Sequence, residues 1–224
     1  NYTAAAVGTA QPRFNGAFIL NGNNTIDSVI LNNSLGGNTT AITSNGGQNL
    51  VISNSTIGSA ANPYPAAMNL INVTAALTNS NVFANGSPLG LGGITLTGSS
   101  LVMQLSKLSM GTPTFFAAIL LDNGSSLTLN DSQLNIFSYN EIYLSAIDLG
   151  SNSMAVINNS TLTVRGLGDI ITIYGLGIYG QESMITMNGG SLSVSANHAS
   201  LTNENPIIVF NGVTCTLNGN STRC

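Results

Sequence analysis

The segment Gly98-Ser-Ser-Leu-Val-Met-Gln-Leu-Ser-Lys-Leu108 aligns without a gap on Gly124-Ser-Ser-Leu-Thr-Leu-Asn-Asp-Ser-Gln-Leu134. The shared pattern, Leu-x-(Leu/Met)-x-x-Ser-x-Leu, recurs in looser form at 154–162 and 185–192, and upstream at 30–35, 50–57 and 75–82. Taking the closing apolar residue as anchor gives Leu35, Ile57, Val82, Leu108, Leu134, Leu162 and Leu192, at spacings of 22, 25, 26, 26, 28 and 30. Repeats of roughly 20 to 50 residues belong to solenoids, propellers and arrays. Inside each unit apolar residues alternate, as in Leu127-Thr-Leu129 and Leu192-Ser-Val194, which is the period of a strand. Asn-Asn-Ser, Asn-Gly-Gly and Asn-Asp-Ser interrupt the alternation with residues that tolerate left-handed backbone and bond their own turns. A leucine-rich horseshoe needs a helical half that has no counterpart here, and a propeller blade needs about 40 residues.

Short strand, tight turn, strand and longer loop, closing once per repeat, describe one coil of a parallel β-helix. The expected fold is therefore all-β: a single-stranded right-handed parallel β-helix of about eight coils, the hand following from the preference of parallel crossovers. Residues 1–14, Ala-rich and outside the repeat, read as an N-terminal cap or lead-in, and 15–224 as one solenoid domain. Strands of successive coils then lie ~4.8 Å apart. Leu101, Leu108, Leu127, Leu129, Leu134, Val156, Leu162, Met187, Leu192 and Val194 are expected to face inward, with Ser, Thr and Asn stacked outside. Stacked like charges would repel at that spacing, in keeping with a chain only 5% charged.

Composition also removes function classes. At 43% hydrophobic and a net charge of −4 the chain does not fit the disorder signature. Its longest apolar run, Phe115 to Leu121, falls far short of the ~20 residues of a membrane-spanning helix. Four Lys plus Arg cannot form the basic stripe that nucleic acid requires. Cys215 and Cys224 are expected to form one terminal disulfide, both pointing into the last coil, with Cys215 at the register of Leu127. That bond in turn favours an extracellular setting. His198, the only histidine, reads as a solvated loop residue, and no zinc motif is present.

The repeats resemble those of the pectin-lyase-like right-handed β-helices, and especially bacterial autotransporter passenger and adhesin domains, over about residues 15 to 224. That resemblance implies a secreted or cell-surface protein that binds a glycan or a protein surface without a cofactor. Similar folds also carry polysaccharide lyases and hydrolases, so an enzyme is the first alternative and a structural stalk or self-association module the second. Catalysis would need clustered carboxylates. Asp122 and Asp148 are spaced like one coil and could stack as a carboxylate or calcium pair, but counting from Leu127 and Met154 sets them one position out of register. Arg165 is expected to form an ion pair with Asp148 or Asp169. The favoured binding residues are Tyr139, Tyr143, Tyr174 and Tyr179, four of the six tyrosines, gathered in the two longest coils with Glu141 between them. Exposed aromatic faces suit saccharides and anchor protein partners.

Overall fold

The computed structural model describes residues 2–3, 11–33, 39–86, 92–112, 117–138, 143–166, 172–202 and 208–224. Their regular structure is all β, with no helix, and the strands stack in parallel as a β-solenoid. Each coil presents three faces. In the central coils the first face is built by Ile94–Thr97, Ala117–Asp122, Tyr143–Leu149 and Thr172–Ile178. The second is built by Ser100–Gln104, Ser126–Asn130, Met154–Asn158 and Met184–Asn188, and the third by Lys107–Thr112, Gln133–Ser138, Thr161–Gly166 and Ser191–Ser195. Two long strands, Thr40–Ser53 and Ala66–Thr78, run across the first and second faces and join them into one sheet, while the third face forms its own. The solenoid has about six turns with another coil stacked on either side, running from Thr40 to Ser195. That is slightly fewer than the eight coils expected from the sequence. The parallel ladders extend into the lead-in: Tyr2–Thr3 pairs with Ile26–Asp27, and Arg13–Asn15 with Ile30–Asn32.

The core is a set of apolar columns. On the third face Leu31, Ile57, Val82, Leu108, Leu134, Leu162, Leu192 and Cys215 stand in one continuous register, all buried. The anchor below Ile57 is thus Leu31 rather than Leu35, which lies outside the described residues. Counted from Leu31, the first step matches the ones that follow it, and the short first spacing of the sequence reading disappears. On the second face Ile52, Leu77, Met103, Leu129, Ile157 and Met187 form another buried column. Nine of the ten expected inward residues are buried, and Val156 is the exception. In Met154-Ala-Val-Ile157 every position is apolar, so alternation gives no phase. Pairing of Leu127 with Ala155 and Leu129 with Ile157 sets it, turning Val156 outward and leaving Met154 exposed.

The corner serines of the repeat are the main surprise, since they are buried rather than stacked outside. Ser55, Ser80, Ser106, Ser132 and Ser160 occupy the turn from second to third face. The Ser55 N–H donates to Ser80 Oγ at 3.1 Å, Ser80 N–H to Ser106 Oγ at 3.2 Å, Ser106 N–H to Ser132 Oγ at 3.2 Å and Ser132 N–H to Ser160 Oγ at 3.0 Å. Each hydroxyl in turn donates to the carbonyl two positions earlier in its own coil, at 2.7 to 2.8 Å. The corner needs a left-handed residue just before each serine, supplied by Asn54, Asn79, Leu105, Asp131 and Asn159 at φ of 47 to 49°. Ser99, Ser125, Ser153 and Ser183 line the corner between first and second faces, where the amides of Val73, Ser99 and Ser153 donate to Ser99, Ser125 and Ser183 in the next coil. A hydroxyl is the one small group that closes a donor below and an acceptor behind at a dry corner.

The expected outer ladder does form from asparagine. Asn158 donates to Asn130 at 2.9 Å, Asn188 to Asn158 at 2.9 Å and Asn211 to Asn188 at 2.8 Å.

At the chain's end Cys215 and Cys224 are bonded, with Cα atoms 5.5 Å apart. Their surroundings differ from expectation. Cys215 stacks on Leu192, not in the column of Leu127, and Cys224 is exposed. Asn218 and Gly219, both at positive φ, make a tight hairpin turn, so Asn220–Thr222 runs back antiparallel along Thr214–Leu217 instead of continuing the coil. Closing a loop of about ten residues contributes about 2 to 3 kcal/mol on the chain-entropy account.

Replacing Ser132 with Ala removes the acceptor for the Ser106 amide and leaves that donor buried. The expected loss is about 1 to 3 kcal/mol by urea denaturation. A partly exposed serine such as Ser193 on the third face, changed in the same way, should alter stability by less than about 0.5 kcal/mol.

Candidate functional site

The outward column on the first face runs Asn69, Thr95, Leu120, Asp148 and Gly177. Two features of this column are unusual for a solvated face. Asp148 is only 6% exposed, and its Oδ1 is buried without a hydrogen-bond partner, as is Oγ1 of Thr95. Above Asp148 the column reaches a glycine, Gly177. A methyl group on Gly177 would stand 3.2 Å from Asp148 Oδ1, 3.4 Å from Ser145 Oγ and 3.1 Å from Tyr179 Cε2. Those three groups close over the bare Gly177 backbone, so a side chain there would have to displace them. Ser145 is 2% exposed, whereas Tyr179 is 62% exposed.

The strands explain the arrangement. Tyr143–Leu149 and Thr172–Ile178 pair with Ser145 opposite Tyr174 and Ile147 opposite Leu176. Ile147 and Leu149 sit in the core with Leu176 and Ile178, so Asp148 and Gly177 between them point outward. Burial pushes the Asp148 carboxyl up to about 7, with the Leu149 N–H pulling the other way. Asp27 has the opposite environment. Hydrogen bonds from Ser53 and Asn54 outweigh a small desolvation and, with Ser28, hold its carboxyl below the ordinary value.

Of the residues singled out in the sequence, Tyr179 and Asp148 come together beside Gly177. Tyr174 is half-buried on the adjoining strand, between Ser145 and Ser200 in register. Tyr139 and Glu141 lie outside the described residues, as does the side chain of Tyr143. Asp122 and Asp148 are not stacked: Asp148 opposes Leu120, while Asp122 is exposed and lies against Gly150 in the coil above. Leu121 stands opposite Leu149, so Asp122 comes level with Gly150 and the spacing between the two aspartates falls short of the coil by two positions. Among the described residues no group of three or more His, Cys, Asp or Glu is placed to hold a metal ion. Arg165 does not reach Asp148, for it is exposed on the third face, paired through its backbone with Phe137 and Ser195. His198 is exposed but opens a strand, opposite Thr172, rather than lying in a loop. Sequence reasoning missed Ser145 and Gly177. Neither has a local motif, and their role depends on a register visible only once coils are stacked.

Folded Asp148 keeps its proton up to about pH 7, while the unfolded chain releases it near 3.8. The stability this group contributes is full below 3.8, declines as pH rises through that window, and is gone above about 7. Asp27 acts in reverse, its contribution present above 3.8 and lost as pH falls through its lowered folded value. Asp148→Asn should therefore flatten the fall in melting temperature between about pH 4 and 7 and leave the variant more stable than the parent at about pH 8. The size is on the order of a few kcal/mol. An unchanged pH profile would show that Asp148 is ionised and solvated.

No family model matches the chain, and neither the curated proteins nor the solved structures contain a significant match.

Proposed function

We propose that this chain is a secreted or cell-surface binding domain, adhesin-like, which recognises a glycan or protein surface through the outer first face of its two long coils. The finer kinship that fits this reading is with pectin-lyase-like β-helices of the autotransporter passenger type. The observation that carries it is Tyr179, an aromatic ring 62% exposed just past the end of the strand Thr172–Ile178, beside the buried Asp148 carboxyl and Ser145 hydroxyl. A rigid aromatic platform beside a few fixed polar groups is how saccharides and protein anchors are held at low entropic cost. The terminal disulfide supports an oxidising compartment. Hydrolytic chemistry on a polysaccharide calls for a second carboxyl at the same place, and among the described residues Asp148 is the one carboxyl against Gly177 and Tyr179.

The test uses a printed array of oligosaccharides together with immobilised extracellular-matrix proteins. The chain should bind a subset, and Tyr179→Ala should weaken that binding about tenfold while the melting temperature stays unchanged. Binding indifferent to Tyr179→Ala would remove this face from the account. Release of reducing ends from pectin-like polymers would replace it with the enzymatic alternative.

A further inference from the structure

We propose that the outer second face of the solenoid is a self-association surface, on which a second copy of this chain packs face to face as a weak dimer. It is distinct from the first face and stands or falls independently of the binding role given to Tyr179.

Seven successive strands build this surface, from the second half of Thr40–Ser53 to Ile208–Asn211. Between their buried columns three outward columns remain. The central one runs from Val51 through Val102 and Val156 to Val209, with Ala76, Thr128 and Thr186 between them. One flank carries Ser100 and Ser126, then Met154 and Met184. The other becomes the ladder of Asn130, Asn158, Asn188 and Asn211. No outward residue of these seven strands is charged, and none is aromatic.

A lone exposed apolar side chain is ordinary. Here they gather. Of the nine large apolar side chains exposed among the described residues, Val51, Val102, Met154, Met184 and Val209 share this face, at 37 to 45% exposure. They offer no ring for a saccharide to stack on, which separates this surface from Tyr179 on the first face. Covering the Asn ladder costs less than covering free amides, because its side chains are already bonded to one another.

Charge and area select the second copy. At a net charge of −4 two copies repel, so approach is least opposed where a charge-free surface meets its own kind. Asp27 borders the surface opposite Ser53, and Asp131 and Glu182 stand at its corners. Asp122 and Asp148 belong to the first face, and Lys107 and Arg165 to the third. A two-fold axis in the plane of the surface, along the strands or along the solenoid, sets the central column against itself. Seven strands ~4.8 Å apart, each of five residues at about 3.3 Å, give about 550 Å² per copy and about 1,100 Å² in all. That just clears the ~1,000 Å² of a specific interface, so the dimer is weak, with a Kd of roughly 10 µM to 1 mM.

The measurement is sedimentation velocity on the whole chain, loaded from about 5 µM to 1 mM. The expected result is a monomer at the low end passing to a dimer at the high end. Raising salt from about 50 to 500 mM should leave the dimer as strong or stronger, because the charges bordering the surface are acidic on both copies. Val156→Lys buries a cation in the interface beside its own copy and should weaken association at least about tenfold. Thr163→Lys, the same change of charge on the third face, should leave association unaltered. Thermal denaturation checks that both variants fold, and if Val156→Lys does not, Thr128→Lys in the same column decides. A monomer at every loading overturns the proposal, as does a dimer that survives Val156→Lys or that salt dissolves. Loss of glycan or matrix-protein binding on Val156→Lys, in a chain that stays monomeric, gives this face to a foreign partner and also overturns it.

Discussion

Strand residues in this protein stand on their equivalents in the coil below, about 4.8 Å away, and nearly everything else follows from that constraint. A position repeated through the stack must be occupied by something that tolerates its own kind as a neighbour. Leu, Ile, Val and Met do so inside, where they form dry columns. Amides do so outside, since each Asn can donate to the one below and accept from the one above, as Asn130, Asn158, Asn188 and Asn211 do. Serine does so at the corners, where its hydroxyl closes an amide from one coil and a carbonyl from its own. Charges do not, because like charges in a column repel. The 5% charge content is a consequence of the architecture rather than of the task.

The candidate site sits where stacking by kind fails. The column through Leu120, Asp148 and Gly177 changes from a large apolar side chain to a carboxyl to none within three coils. A missing side chain above a carboxyl cannot be satisfied by the column itself, so Asp148 keeps an open acceptor and a raised pKa. This happens in the two longest coils, those that separate Leu134 from Leu162 and Leu162 from Leu192, where added length frees the outer face from strict repetition. The solenoid repeats, and this irregular column interrupts the repetition.

Much of the fold can be read in the residues because the repeat and the core are the same signal. Val82, Leu108, Leu134, Leu162 and Leu192 mark the third-face column directly, since each must recur for the column to close. Where the signal is redundant it loses phase: Met154 to Ile157 is apolar throughout, and only pairing with Leu127 and Leu129 shows which residues enter the core. The recurring serine is visible as a pattern but not as a buried group, because its burial depends on the left-handed residue before it and on a partner one full coil away. Asn218-Gly219 is a hairpin signal that the expectation of one more coil conceals. The site is legible only in part. Tyr179 and Asp148 stand out in the sequence, but their meeting depends on the stacking of Asp148 on Gly177, which shows only once the coils are in register.

Amide hydrogen exchange, followed residue by residue, tests the stacked-coil account most directly. The N–H groups of Ser80, Ser106 and Ser132 find their acceptors in the serine hydroxyls of the next coil, an arrangement that no sandwich or horseshoe reproduces. The account predicts that these three amides exchange as slowly as those of Leu129 and Leu134 in the core strands. It also predicts that removing the Ser132 hydroxyl accelerates exchange at Ser106 while Ser80 remains protected. Fast exchange at all three serines in the unaltered chain would contradict it.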